Sequence, residues 1–181
     1  MVLSRGRTSL PVFTCDVFLH RPALTTSTVY VLGAVAGLLA AIVSNVPMHR
    51  LPEGSTPPFV AAGVLTGSDP EGVDPTLASG LHYAAGILAG VFYTAVEYGI
   101  EGLTPPPELY VGGTQLPLLT HLLALLVTFV FLVGFFSYVV LPRFDSLSGS
   151  YRQIRRDWLV TATTYVLGLG VFVPGFLRLL I

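Results

Sequence analysis

The chain has 181 residues, enough for one domain. Its residues are 52% hydrophobic and only 10% charged, where a soluble globular domain carries ~25%. A mean hydropathy of +0.75 with so few charges excludes an ordinary soluble fold. The formal net charge is −1, and basic residues do not alternate with aromatics, which excludes nucleic acid as a partner. All nine basic residues are arginine, and the acids lie mostly in loops, a composition that resembles that of salt-adapted archaea or other GC-rich organisms. Cys15 is the single cysteine, so neither an intrachain disulfide nor a multi-cysteine metal site can form.

Residues 1–26 read as a polar N-terminal arm. Arg5 and Arg7 precede a mildly apolar stretch, but Pro11 and Asp16 interrupt it, so a cleavable signal peptide is not expected. The remaining 27–181 read as an all-α integral membrane domain of four transmembrane helices. Span one covers 27–46 and carries Gly33-Ala-Val-Ala-Gly37, a spacing of small residues that lets a second helix approach closely. Pro47 is expected to end it. The long first loop is partly structured. Within it Thr56 can cap a short helix that has Pro57 at its first position and Gly67 at its end. The apolar stretch Phe59 to Leu65 is too short to span and reads as interfacial or re-entrant.

Span two covers 77–100 and carries the most informative pattern in the chain. His82, Gly86, Gly90, Tyr93 and Glu97 follow one another at steps of four, four, three and four, so they share one helix face. An imidazole and a carboxylate inside a span need a protein partner or water. Gly86 and Gly90 between them offer another close-approach surface, so Gly33, Gly37, Gly86 and Gly90 are the candidate helix-packing residues, inside the bundle or in a homo-oligomer contact. Three prolines at 105–107 stop any continuation of the helix. Span three covers 116–141, with His121, Thr128 and Ser137, and Pro142 closes it. A loop with Arg143, Arg152, Arg155 and Arg156 leads to span four, 157–176, which Pro174 and Gly175 are expected to kink or end.

Four spans put both termini on one side. Arg50, Arg143, Arg152, Arg155 and Arg156 lie on the other, which places the loops after spans one and three in the cytoplasm and the termini outside a cell membrane. These five arginines are candidates for an anion or for lipid headgroups, or for pairing with Glu53 and Asp157.

The polar seam divides by depth. His82 and Glu97 are separated by ~22 Å along the axis at ~1.5 Å per residue, so they cannot touch. His121, near the start of the antiparallel third span, falls at the depth of Glu97. The pathway candidates are therefore His82, Tyr93, Glu97, His121 and Thr128, with a Glu97–His121 pair able to hold or move a proton. His49, Glu53 and His82 form a weaker metal candidate: two imidazoles and a carboxylate suit zinc, iron or copper. Haem is disfavoured, because His82 and His121 sit near opposite ends of their spans. No cofactor is predicted, and no G-x-S-x-G, P-loop or dinucleotide fingerprint points to an enzyme.

Span two and its exit resemble the YagU-like family of small bacterial inner-membrane proteins. The features are His82 followed by Tyr93 and Glu97, and the turn Gly102-Leu-Thr-Pro-Pro106 leading to Thr120 and His121. The resemblance implies a small multi-pass membrane protein connected with pH stress, and no defined mechanism. Together these readings give two functions and, as a weaker third, a membrane metalloprotein at His49, Glu53 and His82. One is an accessory, structural or assembly subunit of a membrane complex, with the bilayer and other membrane subunits or copies of itself as partners. The other is a proton, ion or solute pathway along the seam.

Overall fold

The computed structural model describes residues 24–103 and 109–180. Most of the expected N-terminal arm, with Cys15, lies outside the described residues, as do the prolines at 105–107. Among the described residues the chain is helical, relieved only by one isolated bridge between Tyr110 and Pro117. The helices are α1 (Thr26–Arg50), α2 (Thr56–Thr66), α3 (Pro75–Glu101), α4 (Leu118–Phe135) and α5 (Tyr151–Leu180). Four segments, α1, α3, Leu118–Arg143 and Asp145–Leu180, are long and apolar enough to cross a membrane. The 25 residues of α1 reach ~38 Å, more than the ~30 Å of a hydrocarbon core.

The ends of these helices have local causes. The Thr25 side chain accepts the Thr28 N–H and starts α1. Pro47 does not end α1. It sits inside the helix, which runs to Arg50 and closes with Leu51 N–H donating to the Pro47 carbonyl at 2.9 Å. The proline ring forfeits one donor, but its fixed φ is helical, and the neighbouring helices hold the segment. Pro174 is likewise internal to α5, which continues to Leu180. Thr56 is the first residue of α2 rather than its cap, and its hydroxyl donates to Glu53 Oε2. Gly67 ends α2 at φ 68°, a left-handed conformation suited to glycine. Asp74 accepts from the N–H groups of Thr76 and Leu77 and starts α3. These backbone bonds hold the Asp74 carboxyl below its ordinary pKa.

Span three does not stop abruptly. After Phe135 the helix widens into a π turn over Phe136–Val140 and tightens into a 3-10 turn over Leu141–Arg143 that contains Pro142. Span four starts earlier than its apolar run. Tyr151–Arg156 already belong to α5, because Ile154 and Asp157 face inward while Arg152 and Arg156 face out.

In cross-section α1 packs on α3 and α5, and α4 closes the bundle against the same two helices. Neighbours run antiparallel. The core joins Ala36, Ala40 and Ala41 of α1 to Tyr93 of α3, Ala124 of α4 and Leu169 of α5. The glycine faces meet each other: a Cβ on Gly33 would lie 2.9 Å from the Gly90 carbonyl, and one on Gly37 would lie 2.9 Å from Gly90 Cα. So α1 and α3 touch backbone to backbone. At the arginine-bearing end, α2 is folded onto the bundle. Val60 packs with Phe136, Leu141 and Ile154, and Ala62 packs with Val73 and Ala78.

Candidate functional site

The stripe on α3 meets a different neighbour at each level. At the arginine-bearing end His82 Nε2 lies 3.1 Å from the Ala41 carbonyl of α1. A carbonyl only accepts, so Nε2 carries the proton and Nδ1 is the acceptor in the neutral ring. One turn on, the Gly86 carbonyl accepts the Tyr165 hydroxyl of α5 at 2.6 Å. Gly90 is the contact point with α1.

At the far end Tyr93, 0% exposed, meets His121 of α4, with the hydroxyl 2.5 Å from Nδ1. His121 Nε2 is 3.4 Å from the Gly170 carbonyl of α5. The same logic puts the proton of His121 on Nε2 and makes the Tyr93 hydroxyl the donor to Nδ1. The chain Tyr93–His121–Gly170 thus ties α3, α4 and α5 at one depth.

Glu97 is buried one turn beyond Tyr93. The depth reasoning brought His121 to this end of the seam, but its ring nitrogens are engaged by Tyr93 and Gly170 rather than by Glu97. Thr128 is fully buried, and its hydroxyl donates within its own helix to the Ala124 carbonyl at 2.8 Å.

His49, Glu53 and His82 do not assemble. Among the described residues no three of histidine, cysteine, aspartate and glutamate come together as a metal centre. His49 is exposed, Glu53 takes the Thr56 hydroxyl, and His82 is turned to α1. Proline at 52 had already removed any helical register between His49 and Glu53.

Of the five candidate arginines, Arg50, Arg143, Arg152 and Arg156 are exposed. Arg155 is half-buried. It donates to the Ser137 carbonyl at 2.9 Å and lies over the rings of Tyr138 and Tyr151, 5.4 and 5.7 Å from their centroids. Asp157, 1% exposed, is held by groups other than arginine. Its Oδ2 accepts the Glu53 N–H at 2.9 Å and its Oδ1 accepts the Gln153 amide at 2.8 Å. This carboxylate pins the turn after α1 to α5.

The bonds of Tyr165 and Trp158 escaped the sequence reading, and Asp157 entered it only as a partner for arginine. Asp157, Thr161 and Tyr165 recur at steps of four along α5, so a second polar face was legible there. Trp158 stands near the start of span four, where an aromatic side chain suits an interface anchor. Its indole N–H instead donates to the Leu132 carbonyl at 3.2 Å.

Two adjoining cavities open beside His82. The smaller, about 50 Å³, is lined by Ala41, Ser44, Gly86, Thr161 and Tyr165 together with His82 and Trp158. The larger, about 160 Å³, lies between α2, α3, α4 and α5. Neither is lined by Tyr93, Glu97 or His121. The chain matches no known protein family, no curated protein and no solved structure.

Proposed function

We propose that the chain is a small polytopic membrane protein that serves as an accessory, structural or assembly subunit of a membrane complex. In this reading the arginine-bearing end faces the cytoplasm and the termini lie outside. The observation that carries it is where the polar groups of the seam are spent. His82 bonds α1, Tyr93 and His121 join α3 to α4 and α5, and Tyr165 bonds back to α3. Such bonds stabilise a bundle in lipid, where an unmet polar group costs several kcal/mol.

The outer face of α4 supports the same reading. Leu119, Leu122, Leu126, Val130 and Phe131 are exposed in a continuous apolar surface that suits lipid or a neighbouring subunit. The reading also places the chain beside the YagU-like small membrane proteins that it resembles.

Mild solubilisation followed by mass measurement of the particle, with its subunits identified, tests the proposal. The expected result is other polypeptides at a fixed ratio to this chain. A particle of this chain alone that conducts protons or solute into liposomes, with flux lost in Glu97→Gln, would overturn it in favour of a pathway.

A further inference from the structure

The two cavities beside His82 have a polarity that selects a ligand. Their walls are mostly apolar. The larger is bounded by Pro57, Pro58, Leu81, Phe135, Phe136 and Trp158, and its volume of about 160 Å³ is comparable to the ~150 Å³ apolar cavity that accommodates a benzene ring. His82, Ala85, Leu132 and Trp158 line both spaces, so the smaller cavity extends the larger toward the core. Ala85 and Phe135 are exposed, which puts the mouth on the flank of the bundle. Ala85 lies ten residues into α3, ~15 Å from its start, so in a bilayer the mouth would open into hydrocarbon.

Every side-chain donor on these walls is already used. The Ser44 hydroxyl donates to the Ala41 carbonyl, Thr161 to Asp157, Tyr165 to Gly86, and the Trp158 indole to Leu132. His82 Nε2–H is also spent on the Ala41 carbonyl. Acceptors remain, and the strongest is His82 Nδ1, which has no protein partner among the described residues. A site with acceptors and no spare donor favours a ligand that donates.

We propose that this double cavity binds a ring-sized apolar molecule carrying one hydroxyl donor, which enters from the bilayer and hydrogen-bonds His82 Nδ1. This site is separate from the seam at Tyr93 and His121, and it stands whether or not the chain is a complex subunit. It gives the stripe's first residue a role that the other polar residues of the stripe do not share.

Trp158 is the sole tryptophan of the chain and lines both cavities, so its fluorescence reports occupancy directly. The probes are 4-bromophenol, which donates a hydrogen bond, and 4-bromoanisole, which does not; bromine quenches the indole in each. The full-length protein in a non-aromatic detergent is titrated with both, on the scale of concentration within the micelle. The phenol should half-quench at a concentration about three- to tenfold lower than the anisole, the effect of one hydrogen bond. His82→Phe should erase that preference while quenching by both probes persists. Ala85→Leu, at the exposed mouth, should weaken both probes alike without disturbing the packed bundle, and it carries the test if His82→Phe does not fold. Equal quenching by the two probes in the wild type, a preference surviving in His82→Phe, or no effect of Ala85→Leu would each overturn the proposal.

Discussion

Replacing Gly90 with alanine isolates the contact between α1 and α3. In an exposed part of a helix, Gly→Ala stabilises by about 1 kcal/mol, because alanine loses less backbone entropy. Gly80 supplies that reference within the same helix: it is exposed, and a Cβ there would meet nothing within 4 Å. At Gly90 the added methyl would lie 2.9 Å from Gly37 Cα, where carbon atoms prefer ~3.5–4.0 Å, and it would also press on the Gly33 carbonyl. Both obstacles are backbone, so no side chain can swing aside. The helices must part by about 1 Å to relieve the Gly33 carbonyl, and overpacking of this kind costs about 1–3 kcal/mol, occasionally more. The parting also opens the Gly33–Thr94 and Gly86–Ala41 contacts. Gly80→Ala should therefore be neutral or stabilising by up to about 1 kcal/mol, and Gly90→Ala should be destabilising by about 1–3 kcal/mol. Denaturant titration of the two purified variants in one detergent, followed by circular dichroism, measures both. Gly90→Ala as stable as Gly80→Ala would refute the backbone-to-backbone packing of α1 on α3.

Two further predictions concern the arginine-bearing end. Asp157→Ala leaves the Glu53 N–H without its acceptor and should destabilise by about 1.5–3 kcal/mol, the range for a bond to a charged group. Asp157→Asn keeps one oxygen for that N–H and should lose less; hydrogen exchange at the Glu53 amide should speed up in the alanine variant, and an unchanged rate would contradict the tie. Asp74 gives a pH dependence with a definite sign. Its folded pKa lies below the ordinary value of 3.8, so its contribution is full above that value and fades as pH falls through the depressed one. The stability difference between wild type and Asp74→Ala should therefore shrink on acidification below pH 3.8, and a difference that grew would refute the capping role.

The sequence by itself determined the four apolar helices, because run length, low charge and glycine spacing are local quantities. The stripe on α3 and the depth match of His121 with the far end of that stripe also followed from helical geometry alone. The short helix in the first loop was legible from Pro57 and Gly67. Helix ends were less legible. Pro47 and Pro174 look like stops from the chain's chemistry, yet the packing of neighbouring helices carries both helices through them. The arginines at 152–156 look like loop until Ile154 and Asp157 find partners in the fold.

Only the tertiary structure decided the pairings. His121 takes Tyr93 and Gly170, and Asp157 takes a backbone N–H in place of an arginine. Hydrogen bonds to main-chain carbonyls leave no trace in residue type, since every residue carries the same carbonyl. For the same reason the sequence shows that His82, Tyr165 and Trp158 can donate, but it does not single out Ala41, Gly86 and Leu132, the residues whose carbonyls receive them. The cavity beside His82 is likewise a property of how α2, α3, α4 and α5 fail to fill the space between them. Volume left over among side chains from separate helices is fixed by packing and is written in no single segment.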